Sequence, residues 1–341
     1  MGRRTLRLTA VFLATSALGS TLGSASPPRL AAAGAIQVPM AVAVPSDEPD
    51  PRPAPLHLAV PSPSPSPAPT AASTIVARAV PTLRPIPLPA VDAQEVALVN
   101  LDTGRFLWQS NARAPWAPAS LTKIFTAMVA VDLMGMNATV TVPASIQQLP
   151  GDSTFMGLTP GERLTVRELL YGVFLSSGND AAETLAAGVT SRSTFLADMN
   201  AKAARLGLRT SHFTNPTGLS EPGLYSSAYD LALAATYLES HYPGLVSIAA
   251  TTSVTIPATA THEAFTLENI NKLLHTYPGT YGLKTGWTDV ALGCLITTSS
   301  RGGHRLLAVL LGAPNGTAYA QMPKVLDYGF EVLGVLPRPS P

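Results

Sequence analysis

Ser120 and Lys123 stand three residues apart at the start of an apolar run, a spacing that puts a hydroxyl and an amine on one face of a single helical turn. Together they make a nucleophile beside its potential base. A serine hydroxyl attacks poorly until a neighbour takes its proton, and a lysine takes it only when burial or another cation lowers its own pKa. Ile124, Phe125, Met128 and Val129 would supply the burial, and a helix N-terminus favours developing negative charge. For a lone match the ordinary explanation, a capping serine followed by a surface lysine, would prevail. Two further elements change the balance. Ser177-Gly178-Asn179 adds a second hydroxyl and a side-chain amide, and Lys284-Thr285-Gly286 adds a second amine, another hydroxyl and a residue without a side chain. Singly, these read as a helix C-terminal turn and a solvated strand end. Lysine is scarce, five in the chain, so two of them falling in such motifs in this order is hard to obtain by accident.

The elements that must position these residues are legible in outline. Val96 to Asn100 and Arg105 to Trp108 read as two strands around the turn Asp102-Thr103-Gly104, since Asp and Gly suit turn backbones. Leu121 to Leu133 is long and apolar enough for a buried helix. Thr165 and Glu168 form a capping box, after which Val166, Leu169, Leu170, Val173 and Phe174 follow helical spacing up to a stop at Ser177-Gly178. Ala181 to Ala187, Ser193 to Leu206, Ala228 to Leu238 and Met322 to Leu333 continue the helical pattern. Cys294 to Ser299 and Arg305 to Leu311 flank Arg301-Gly302-Gly303-His304, a hairpin signature. Strands at both ends with helices between predict an α/β domain with a helical insertion.

The composition narrows the chemistry. The 341 residues carry 22 Lys and Arg against 21 Asp and Glu, with no surplus of cations to neutralise phosphates, which argues against nucleic acid as a main partner. The sole cysteine, Cys294, cannot form a disulfide within the chain and reads as a small buried strand residue. His212, His241, His262, His275 and His304 show no metal-ligand spacing, so no metal is assigned. Asp180 and Glu183 read as residues that cap or solvate the following helix.

The first 91 residues differ from the rest, with 17 of the 32 prolines and seven basic against three acidic side chains. Arg3, Arg4 and Arg7 precede an uncharged, mostly apolar stretch from Leu8 to Leu22 that ends in Gly23-Ser24-Ala25. Residues 1–25 are therefore expected to be a secretory signal, with an uncleaved membrane anchor as the rival, and the protein to be exported. Residues 26–91 are rich in Pro, Ala and Ser and are expected to form a disordered stalk, since proline favours extended polyproline II. Residues 92–336 then form the catalytic domain, with no C-terminal β-domain or anchor helix expected after it.

Pro118 to Lys123, Ser176 to Ala181, Asn215-Pro216-Thr217-Gly218-Leu219, Asn271 to Leu274, and Tyr277-Pro278-Gly279 with Gly282 to Asp289 closely resemble the low-molecular-mass D-alanyl-D-alanine carboxypeptidases, penicillin-binding proteins of the serine type. The resemblance covers about residues 92 to 333. It implies a β-lactamase/transpeptidase-like α/β fold: an antiparallel sheet flanked by helices, with a mainly helical subdomain. It implies that Ser120 attacks the carbonyl between two terminal D-alanines of a peptidoglycan stem peptide and forms an acyl-enzyme, with neutral Lys123 as base and Ser177 as proton relay. Asn179 would bond Lys123 and a substrate amide, Lys284 and Thr285 would hold the terminal carboxylate, and the oxyanion would lie between the backbone N–H groups of Ser120 and Trp287, beside Gly286. β-Lactam antibiotics would acylate Ser120, and no cofactor is implied.

The chain departs from the pattern in one respect. Many relatives carry an arginine shortly before the final helix that assists carboxylate binding, and Asn315 to Ala320 contains none. Three alternatives share the scaffold. A class A β-lactamase would need a glutamate with an asparagine four residues later, which Glu221, Glu239 and Glu263 lack. A wall endopeptidase would use the same motifs. A non-catalytic wall-binding module would have no need of an amine beside a serine.

Overall fold

Asp102-Thr103-Gly104 turns the chain as its composition requires, with Gly104 at φ +71°. It joins β1 (Glu95–Asn100) to β2 (Arg105–Ser110), paired antiparallel. The computed structural model describes residues 86–314 and 316–335; the expected signal segment and almost all of the expected stalk lie outside the described residues. A 3₁₀ turn, Ala119–Thr122, leads into α1 (Lys123–Met134). There follow β3 (Thr139–Thr141), β4 (Arg163–Thr165), α2 (Val166–Phe174), α3 (Asn179–Val189), α4 (Arg192–Arg205) and α5 (Ala228–His241). α6 (Pro243–Ala250), β5 (Ser253–Ile256), β6 (Phe265–Glu268) and the short α7 (Leu273–Thr276) lead to β7 (Thr280–Thr288), β8 (Leu292–Arg301), β9 (His304–Ala313) and α8 (Ala318–Val332).

Five strands form one antiparallel sheet in the order β2-β1-β9-β8-β7. The chain's first hairpin thus docks beside its last, and β7 is left at an edge. Strand alternation divides the apolar residues between two cores. Leu306, Ala308 and Leu310 of β9 pack with Val325, Leu326 and Phe330 of α8, whereas Leu307, Val309 and Leu311 belong to the larger core shared with α1 to α6. β1 is buried along its whole length because both faces are covered. The architecture is the expected one, an antiparallel sheet flanked by helices with a mainly helical part inserted between β2 and β7.

Local expectations hold with informative differences. The Thr165 hydroxyl accepts from the Glu168 N–H while the Glu168 carboxylate accepts from the Thr165 N–H, a complete capping box. α2 ends at Phe174 rather than at Ser177-Gly178, and Leu175 to Gly178 form a loop that carries functional groups. The last hairpin is longer than predicted at both ends. α6 and the two-stranded pairs β3–β4 and β5–β6 were not anticipated. They are short, and α6 lacks a polar face to give it a periodic signature.

Thr165→Ala removes one reciprocal cap while leaving the core untouched. The expected loss is about 1 kcal/mol of unfolding free energy, read by urea denaturation with an unchanged slope.

Candidate active site

Ser120 sits in the 3₁₀ turn and Lys123 is the first residue of α1, so the helix begins one turn later than the serine-to-lysine spacing suggests. The preceding Ala119 is held at φ +48°, a left-handed backbone unusual for alanine. Lys123 is fully buried. Its Nζ lies 2.9 Å from Ser120 Oγ, 2.6 Å from Asn179 Oδ1 and 2.7 Å from the Thr217 carbonyl oxygen. The Thr217 oxygen, and the Asn179 oxygen as oriented, can only accept, so they take two amine hydrogens. A neutral amine then has its lone pair left for the Ser120 hydroxyl. Burial is the main cause that drives the Lys123 pKa well below its ordinary value, and the positive charge of Lys284 adds to it, against Asp180 and Glu183.

The second and third motifs meet this pair from two other parts of the fold. Ser177, at φ +58°, lies in the loop between α2 and α3, and Asn179 opens α3. Lys284, on edge strand β7, is 1% exposed and donates to Ser177 Oγ at 2.9 Å and to the Thr285 carbonyl at 2.8 Å. Burial lowers its pKa to about 7. Gly286 is required by space, because a Cβ there would lie 3.0 Å from the Ser120 nitrogen and 3.1 Å from the Ala119 Cβ. Ser120 thus rests against β7, where Trp287 follows. The Trp287 side chain is 54% exposed and forms a wall of the cleft, not part of the core. All eight residues singled out in sequence, Ser120, Lys123, Ser177, Asn179, Lys284, Thr285, Gly286 and Trp287, converge on one cleft of about 660 Å³ or on the wall behind it.

Other residues that hold the site were given no role by sequence. Asn215 Oδ1 accepts from the N–H groups of Thr217 and Gly218 and from the Thr217 hydroxyl, and its Nδ2 donates to the Leu219 carbonyl. That turn aims the Thr217 carbonyl at Lys123. Gly218, at φ +85°, has no room for a side chain: a Cβ would lie 1.9 Å from the Ala119 carbonyl oxygen. Asp180 does more than cap a helix, since its buried carboxylate accepts from the N–H groups of Met156, Gly157 and Leu158 and so ties a cleft loop to α3. The Thr154 hydroxyl donates to the Ser177 carbonyl from that same loop. Asn-Pro-Thr-Gly is a turn signal, so the first of these devices could have been suspected from sequence.

Cys294 is buried in β8 as expected, and burial pushes its thiol up to about 12. Among the described residues, no group of three or more His, Cys, Asp or Glu side chains is placed to hold a metal ion, and no helix is long and apolar enough to cross a membrane.

A sequence profile described as D-alanyl-D-alanine carboxypeptidase matches residues 82–315, more than half of the chain. The chain belongs to that family. It is 37% identical over 248 residues to the D-alanyl-D-alanine carboxypeptidase DacF of Bacillus subtilis, a match covering 71% of this chain and 63% of that relative. It is 34% identical over 253 residues to DacB2 of Mycobacterium tuberculosis, covering 72% and 84%. Among solved structures, a Streptomyces DD-transpeptidase superposes with a TM-score of 0.67 at 29% identity, covering 72% of this chain and all of that one.

Gly218→Ala tests whether the turn against Ala119 positions Ser120. Its Cβ can be accommodated only by shifting the Ala119 carbonyl or the Ser120 N–H, 2.9 Å away. Labelling of Ser120 by a fluorescent penicillin is expected to slow by about 10²-fold or more, the order lost with an oxyanion donor, in a time course on folded protein.

Proposed function

We propose that this chain is a serine D-alanyl-D-alanine carboxypeptidase that removes the terminal D-alanine from peptidoglycan stem peptides through an acyl-enzyme on Ser120. The observation that carries this reading is the buried Lys123 amine, 2.9 Å from Ser120 Oγ with its other two neighbours both acceptors. Lys123 takes the Ser120 proton as Oγ attacks the carbonyl. The tetrahedral oxyanion is stabilised by the backbone N–H groups of Ser120 and Trp287. The proton passes to the leaving amine through Ser177, whose Oγ is bonded to Lys284. D-Alanine departs, and a water activated by the same amine hydrolyses the ester to free the shortened peptide and regenerate the Ser120 hydroxyl. Asn179 orients Lys123 and the substrate's amide, while Lys284 and Thr285 hold the terminal carboxylate. The same recognition makes β-lactams acylating inhibitors.

No glutamate is among the residues that line the cleft, whose carboxylates are Asp152 and Asp289. That supports slow release of a penicilloyl group over the rapid turnover of a β-lactamase. We read residues 1–25 as an export signal and 26–91 as a spacer, which would place residues 92–336 outside the cytoplasm where stem peptides are found.

The direct test is intact-mass spectrometry with benzylpenicillin, paired with an assay of D-alanine release from diacetyl-L-Lys-D-Ala-D-Ala. One stable adduct, absent in Ser120→Ala, together with D-alanine release is expected. Rapid drug turnover would point to a lactamase, and a folded protein that neither reacts nor releases D-alanine to a binding module. The pH profile is a second test. Lys123 must be neutral and Lys284 charged, so kcat/KM rises as pH climbs through the lowered Lys123 pKa and falls as it passes about 7, where Lys284 loses its proton. Lys284→Arg, which keeps its charge, is expected to move the falling limb to higher pH.

A further inference from the structure

The cleft does not stop at Thr285. Its lining continues past β7 through Gly293, Leu295, Gly316 and Ala318 to Tyr319, with Ile270 facing it from the segment after β6. Register pairs Trp287 with Gly293 and Thr285 with Leu295, so this extension lies directly beside the strand assigned to carboxylate binding. Gly293 lets the start of α8 pack closely at this end of the cleft, since a Cβ there would lie 3.1 Å from the Ala313 carbonyl oxygen and 3.2 Å from the Ala318 Cβ.

The far wall is apolar by construction. The Tyr319 hydroxyl donates to the Ile270 carbonyl at 3.0 Å, so its polar end is committed to the main chain and the ring is what the cleft meets. Ile270 is 44% exposed beside it, and no lysine, arginine or histidine is among the lining residues. Lys284 lies behind the wall with two donors already engaged. Among the described residues that line or back the cleft, a terminal carboxylate finds its positive partner at Lys284; the Lys272 ammonium lies 5.7 Å from the Tyr319 ring centroid, outside that lining. On the carboxypeptidase reading, the apolar surface beyond Thr285 lies next to the place of the leaving residue, where a longer aliphatic side chain would meet more of it than the methyl of alanine.

We infer that Tyr319 is a specificity-determining residue of the reaction: with Ile270 it forms an apolar wall that accepts leaving D-residues with branched aliphatic side chains as well as D-alanine. The inference rests on the carboxypeptidase reading above. It adds the class of leaving residue, aliphatic D-amino acids, and the two side chains that select it.

The test uses the full chain and the peptides diacetyl-L-Lys-D-Ala-D-X, with X alanine, valine or leucine, following the amino acid released. The ratio of kcat/KM for D-leucine over D-alanine is expected to be at or above one. It should fall about tenfold in Tyr319→Ala, the order of effect of apolar contacts in a substrate pocket, while Tyr319→Phe, which keeps the ring, holds the ratio. Benzylpenicillin acylation and the unfolding midpoint show whether each variant retains an intact centre, and if Tyr319→Ala fails to fold, Ile270→Ala carries the same ratio test. A ratio unchanged in a folded, acylating Tyr319→Ala or Ile270→Ala variant, or a wild type that rejects D-leucine tenfold or more while releasing D-alanine, overturns the inference alone. A wild type that releases no residue from any peptide and takes no penicillin overturns both readings.

Discussion

A fully buried amine held by two acceptor oxygens, with its third neighbour a hydroxyl, is the constraint around which the rest of the molecule is arranged. Burying a lysine is costly in its charged form, and the protein meets the cost by shifting the equilibrium to the neutral one. Leu121, Ile124, Phe125 and Met128 exclude water around it, and Lys284 discourages the charge further. Asp180 and Glu183 pull the other way, and both carboxylates have partners elsewhere, Asp180 in three N–H groups of a cleft loop and Glu183 in a bidentate contact with Arg192. What would be an error in a structural core is, on the proposed reading, a base ready to act.

Such a base is useful only if three distant parts of the chain deliver their groups to it, and the backbone is bent out of ordinary regions where they meet. Ala119 and Ser177 both adopt left-handed conformations, each next to or within a motif, where a side chain normally costs about 1 kcal/mol or more. The surroundings hold both in place. Gly218 leaves space for the Ala119 carbonyl, and Thr154 bonds the Ser177 carbonyl. Gly286 lets edge strand β7 come against the Ser120 nitrogen. An edge strand is the suitable element for this, since one of its sides is unpaired and can face a peptide.

The sequence made the motifs and the sheet ends legible because side-chain identity and periodicity encode them. Thr165 with Glu168 announces a helix start, Asp102-Thr103-Gly104 and Arg301-Gly302-Gly303-His304 announce turns, and all appear where expected. The contribution of Thr217 was hidden, since it acts through its carbonyl and any residue has one. The left-handed Ala119 and Ser177 were hidden too, because no propensity marks alanine or serine for that backbone; tertiary contacts impose it. Asp180 looks like a local cap in sequence because its partners, Met156 to Leu158, lie more than twenty residues away. The short β3 to β6 strands have too few residues for alternation to show.

The two lysines also set a limit on each other. A pKa of about 7 for Lys284 means that in the empty cleft its charge, and with it the repulsion that helps keep Lys123 neutral, fades as pH passes neutrality. A carboxylate brought against Lys284 restores that charge, because an opposite charge at close range favours the protonated amine. On the proposed reading the arriving substrate therefore strengthens the field that keeps its own base deprotonated. With no second cation among the described residues that line the cleft, this coupling runs through Lys284. On that reading the position is less tolerant of change than one of a pair of cations would be, since the same side chain would hold the ligand while it bonds Ser177 and tunes Lys123.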